Sequence, residues 1–128
     1  MEMKKLLESF NHAINGIIDA VRTQRNMKIH IVAAIGVLIA CFFFDISKAE
    51  FLSLAITITM VISAELVNTA VEAAVDLNTN YYHPLAKVAK NTAAGAVLVT
   101  AVNALLVGYI VFWDKLSNFS YEVIYKIK

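Results

Sequence analysis

An apolar run from Phe51 to Ala64 passes into a segment carrying Glu65, Asn68, Glu72 and Asp76. At 100° per residue, with Glu65 at zero, Asn68 falls at about −60°, Glu72 at about −20° and Asp76 at about +20°. One helix face therefore holds all four polar groups. The opposite face, with Leu66, Val67, Ala70, Val71 and Ala74, is apolar and suits lipid or another helix. Ionisable groups are expensive in hydrocarbon and are rarely placed there without a use. A helix end leaving the membrane accounts for Asp76 taken alone, but not for the whole stripe. This stripe restricts the chain to folds in which a membrane helix has its polar face enclosed or wetted.

Composition agrees. Apolar residues make up 59% of the 128 and charged residues 16%, well below the roughly 25% charged of soluble domains. The expected class is all-α integral membrane, one domain over residues 1–128. The net charge of +1 provides no basic field for nucleic acid. A single cysteine, Cys41, excludes an internal disulfide framework and reads as packing. No cleavable signal is expected, since the first apolar run is preceded by more than about twenty amphipathic residues.

Residues 4–25 read as an amphipathic helix suited to the membrane interface, with Leu6, Leu7, Phe10, Ile14, Ile17, Ile18 and Val21 at helical spacing. Membrane helices are expected at 27–44, 51–76 and 86–113. Asp45 to Glu50 forms a turn between the first two. Pro84, the only proline, starts the third, where its missing N–H is harmless. Ala93-Ala94-Gly95-Ala96 is a small-residue patch of the kind that lets helices approach. Tyr109 and Trp113 fit an interfacial belt. His30 reads as an interfacial or hydrogen-bonded residue. The tail, 117–128, fits strand alternation and helical spacing alike and receives no function.

Lys4, Lys5, Arg22, Arg25 and Lys28 precede the first span, and Lys87 and Lys90 follow the second. The positive-inside rule then places the N-terminus and residues 76–92 in the cytoplasm. The acidic stripe ends at the same boundary as the polar cluster His83 to Asn91. Carboxylates and lysines converging there suit a Mg²⁺-bound polyphosphate, because Mg²⁺ takes one or two carboxylates plus phosphates and Lys supplies positive charge. There is no Walker-type glycine loop.

The pattern Glu65-x-x-Asn68-Thr69-Ala-x-Glu72-x-x-Val-Asp76, then His83-Pro84-x-Ala-Lys87 and Ala89-Lys90-x-x-Ala93-Ala94-Gly95-Ala96-Val97, resembles the small prokaryotic diacylglycerol kinase family. Thr23-x-Arg25-Asn26-x-Lys28-Ile29-His30 and His83-Pro84 look closer to its undecaprenol kinase branch. The resemblance spans about Phe10 to Val111. It implies a homotrimer in the bacterial cytoplasmic membrane, with an interfacial helix and three membrane helices per subunit. It also implies ATP and Mg²⁺ as co-substrate and cofactor, and a membrane lipid as phosphate acceptor. By residue, it implies Glu65 as general base, Glu72 and Gln24 at the metal, and Asn68 and Asp76 in support. It places His12, Gln24, Glu72, Tyr81, Tyr82, His83, Lys90 and Asn91 near the nucleotide.

Two positions depart from the family's commonest pattern. Gln24 stands where a metal-binding Glu is usual, and Asn91 where an Asp follows the motif lysine. Both keep shape and lose a negative charge. The expected function is a lipid kinase favouring undecaprenol. The alternatives are a diacylglycerol kinase or a catalytically silent relative that binds nucleotide or lipid. A proton-coupled carrier would use Glu65 but has no need of the His83 to Lys90 cluster.

Overall fold

The computed structural model describes the backbone of residues 2–78, 81 and 83–127, and the side chains among these up to residue 118. Four helices follow one another: α1 Glu2–Thr23, α2 Arg25–Phe43, α3 Lys48–Asn78 and α4 Pro84–Ile127. Glu2 in the first turn of α1 and Arg22 in its last oppose the helix macrodipole. Gln24 then turns extended (φ −93°, ψ 122°), and its N–H closes on the carbonyl of Ala20 at 2.9 Å. The corner buries Ala20 and Met27, which ties α1 to the start of α2.

Ser47 and Glu50 start α3 as a reciprocal cap. The Ser47 N–H donates to Glu50 Oε2 at 2.8 Å, and the Glu50 N–H donates to Ser47 Oγ at 3.3 Å. Two orphan donors of a helix start are satisfied this way, so α3 begins at Lys48 rather than at 51. His83 does similar work for α4. Its Nδ1 accepts the Leu85 N–H at 3.2 Å, with Pro84 at the first helical position.

The third helix expected over 86–113 does not stop there; the backbone remains helical to Ile127. Nothing in the sequence ends it, since the last glycine is Gly108 and no proline follows Pro84. The residues assigned to a tail of ambiguous structure therefore continue the helix, and the strand alternation there does not prevail.

Arg25–Phe43, Lys48–Asn78 and Pro84–Asn118 are long and apolar enough to cross a membrane. Most of their surface faces outward: Phe42 is 90% exposed and Leu105 76%, so lipid or a further protein surface must cover them. Inside the spans, hydroxyls are satisfied locally. Thr57 Oγ1 donates to the Ser53 carbonyl at 2.7 Å and Thr69 Oγ1 to the Glu65 carbonyl at 2.8 Å, as the absence of water in hydrocarbon requires. Gly95 makes no close approach within the chain, because a Cβ built there meets nothing within 4 Å. Gly95 of the small-residue patch is open to contacts outside the chain.

α3 and α4 share the largest interface, and α3 also packs on α2. At the far end of that pair Lys115 donates to the Asp45 carbonyl at 2.8 Å and pairs with Glu50 at 3.1 Å. Phe44 and Phe112 meet edge to face beside them, centroids 5.8 Å apart. We expect Lys115→Met to lower stability in detergent slightly, through the loss of one partly exposed pair and one hydrogen bond. Its thermal midpoint should fall with little change in activity.

Candidate functional site

The buried residues of α3 are Leu54, Thr57, Val61, Glu65 and Asn68. Their spacing of three and four residues is that of a packing seam. Glu65 and Asn68 occupy seam positions where apolar side chains would pack best. Glu65 is 1% exposed and Asn68 5%; Glu72 is half-buried and Asp76 exposed. The stripe is thus a gradient from a dry end to a wet end.

Helix rise gives this gradient a depth. Counting from Lys48, Glu65 lies about 26 Å along α3, Glu72 about 36 Å and Asp76 about 42 Å. A hydrocarbon layer of roughly 30 Å beginning at Lys48 would hold Glu65 just inside its edge and leave Glu72 and Asp76 beyond it.

Glu65 and Asn68 open on a cavity of about 250 Å³ between α2, α3 and α4, with Asn26, His30, Ala94 and Val97 among its other walls. Glu65 Oε2 and Asn68 Oδ1 are buried and have no hydrogen-bond partner within the chain. Such atoms are costly unless a partner arrives. The other end of Asn68 is engaged, with Nδ2 donating to Glu72 Oε1 at 3.2 Å. This bond fixes Glu72 one turn beyond the cavity. A second cavity, about 280 Å³, continues from the first through Ile29, His30 and Ala101 and is lined by apolar groups such as Ala34, Val61 and Leu105.

The loop side forms its own cluster. Asp76, Tyr81, His83, Lys87, Lys90 and Asn91 surround a space of about 290 Å³. Lys90 Nζ pairs with Asp76 Oδ1 at 2.5 Å. Both side chains are well exposed, so the pair is worth at most about 1 kcal/mol, and an anion can draw Lys90 away from it. Tyr81 lies edge-on to His83, ring centroids 6.4 Å apart.

The expected site residues therefore fall into groups. Glu65, Asn68 and Glu72 share one face; Asp76, Tyr81, His83, Lys90 and Asn91 share the loop cluster. His12 is exposed on α1 and Gln24 is half-buried at the corner before α2; neither lines these cavities. Tyr82 lies outside the described residues. Asn26, given no role from the sequence, and His30, read there only as interfacial or hydrogen-bonded, line the cavity of Glu65. Their signal was available, as two polar groups four residues apart on one face at the start of an apolar helix.

Among the described residues no group of three or more His, Cys, Asp or Glu side chains gathers as a metal site. The donors near Glu72 nonetheless suit Mg²⁺. A carboxylate stands beside the unpartnered Asn68 carbonyl oxygen; both are hard oxygen ligands, and Mg²⁺ commonly completes its shell with phosphate and water.

The family description of prokaryotic diacylglycerol kinase matches residues 11–112, most of the chain. The chain belongs to the prokaryotic diacylglycerol kinase family. It is 44% identical over 115 residues to an undecaprenol kinase of Bacillus subtilis (strain 168), covering 90% of this chain and 94% of that protein. It is 43% identical over 104 residues to a diacylglycerol kinase of Synechocystis, covering 80% of this chain and 59% of that protein. Against a diacylglycerol kinase of Escherichia coli (strain K12) identity is 31% over 80 residues, covering 62% of this chain and 65% of that protein. The matched segment contains the whole polar face of α3 and the loop cluster.

Proposed function

We propose that the chain is an integral-membrane lipid kinase that moves the γ-phosphate of ATP to the hydroxyl of undecaprenol. The observation that carries this reading is the gradient on α3. A dry carboxylate adjoins an apolar cavity, and a wetter carboxylate and a lysine cluster lie on the aqueous side. A lipid hydroxyl and a nucleotide phosphate can meet only where two such environments adjoin.

The acceptor's chain would occupy the apolar cavity, with its hydroxyl in the cavity of Glu65. Glu65 takes the proton of that hydroxyl as its oxygen attacks the γ-phosphorus. The bond from the γ-phosphorus to the β–γ bridging oxygen breaks and ADP leaves. Lys90, released from Asp76, holds phosphate charge, and Asn68 orients Glu72. Glu72, Asn68 and Gln24 are the residues that would hold Mg²⁺, and the ion would offset the charge of the phosphates. His83 and Tyr81 would flank the nucleotide, with Asn91 and His12 at its margins.

The bias of Lys and Arg supports a cytoplasmic N-terminus and site in the bacterial inner membrane. The spacing of apolar groups on α1, nearly all exposed, supports a helix lying in the interface. The outward apolar surface and the open small-residue patch support a homotrimer, in which neighbouring subunits would cover the polar face.

The test is transfer of labelled γ-phosphate in mixed micelles, with undecaprenol and diacylglycerol offered separately. Undecaprenol should be phosphorylated at least about tenfold faster, a difference of about 1.4 kcal/mol in transition-state binding. Faster transfer to diacylglycerol would overturn the choice of acceptor. Transfer to neither lipid, from folded protein, would favour the silent relative that Gln24 and Asn91 suggest.

A further inference from the structure

His30 has a place in the fold that no role assigned above explains. It lies on α2, half-buried, and is a wall of both the polar cavity and the apolar one. It therefore stands at the junction where an acceptor hydroxyl would meet Glu65. The Glu65 carboxylate needs a donor, because Oε2 is buried and unpartnered. Three side chains around that cavity carry N–H groups. The Asn68 amide is turned toward Glu72, to which Nδ2 donates, and Asn26 is exposed. The imidazole remains, and it lines the same cavity as the Glu65 carboxylate.

We propose that His30 is a positioning residue for phosphate transfer: its ring, a wall of the same cavity as Glu65, turns an N–H onto the unpartnered Oε2, so that the other carboxylate oxygen faces the acceptor hydroxyl. Fixing the base in this way restricts its rotamers and aims its free oxygen. The inference rests on the kinase reading for its consequence, but not for the cavity that His30 and Glu65 share.

Two measurements test it. The chain has three histidines, His12, His30 and His83, so ring resonances of histidine-labelled protein in micelles can be assigned. Glu65→Gln should move the His30 ring signals and leave those of His12 and His83 in place. Unmoved His30 signals would overturn the proposal, whether or not the protein transfers phosphate. In the transfer assay, His30→Ala should lower kcat about 10- to 100-fold, part of the roughly 10²–10⁴ a positioned base contributes. KM for Mg·ATP should be unchanged. His30→Gln, which retains an N–H at similar reach, should restore most of kcat. A raised lipid KM at unchanged kcat, or a Gln variant no better than Ala, would reduce His30 to a wall of the acceptor cavity and overturn the role. Wild-type protein inactive toward every lipid would count against the kinase reading alone, and the ring signals would still decide the contact.

Discussion

Glu65→Gln should abolish transfer to lipid, with kcat falling by about 10³-fold or more, within the range lost when a general base is removed. The substitution is isosteric, and the fold should not suffer. Glu65 is 1% exposed and carries an oxygen without a partner. A neutral amide is easier to bury there than a carboxylate, so the thermal midpoint should hold or rise. Stability kept or gained while activity is lost is the signature of a residue retained for chemistry. Loss of both together would mark Glu65 as a structural group instead.

Glu72→Gln should act differently. The amide oxygen still accepts from Asn68, whose Nδ2 lies 3.2 Å from Glu72 Oε1, so the local geometry survives. What disappears is the negative charge near the phosphates, and a neutral oxygen binds Mg²⁺ more weakly. kcat/KM for Mg·ATP should fall about 100-fold, equivalent to about 2.7 kcal/mol, and the Mg²⁺ concentration needed for half-maximal rate should rise. Excess Mg²⁺ should recover part of the rate in this variant and none in Glu65→Gln. In the other direction, Gln24→Glu adds a carboxylate at the α1–α2 corner and should lower the Mg²⁺ requirement. An unchanged requirement in both variants would place the metal elsewhere.

Much of this site was legible in the sequence because it lies along one helix. A stripe at three- and four-residue spacing needs only the 100° period to be seen, and α3 retains that period from Leu54 to Asp76. The Ser47-x-x-Glu50 cap is equally local and moves the start of α3 back to Lys48. What resisted reading is tertiary. Lys90 and Asp76 are 14 residues apart and meet only because α4 folds back along α3; Lys115 reaches the carbonyl of Asp45 across 70 positions. His30 became visible as a neighbour of Glu65 only once α2 was set against α3. Trp113 marks a membrane boundary and not a helix end, since a helix continues past such a boundary unless something in its sequence stops it, and α4 runs on to Ile127.

The central claim is that phosphate transfer takes place on the aqueous end of the α3 face, around Asn68 and Glu72. Mn²⁺ in place of Mg²⁺, bound with ATP, makes that claim directly measurable, because the ion broadens nearby resonances by its unpaired electrons. With titrated Mn·ATP in micelles, the side-chain amide signals of Asn68 should broaden first, with those of Asn91 following. The turn from Asp45 to Glu50, about 27 Å or more away along α3, should remain sharp. Broadening centred on that turn, or ATP binding with no broadening at Asn68, would contradict the account.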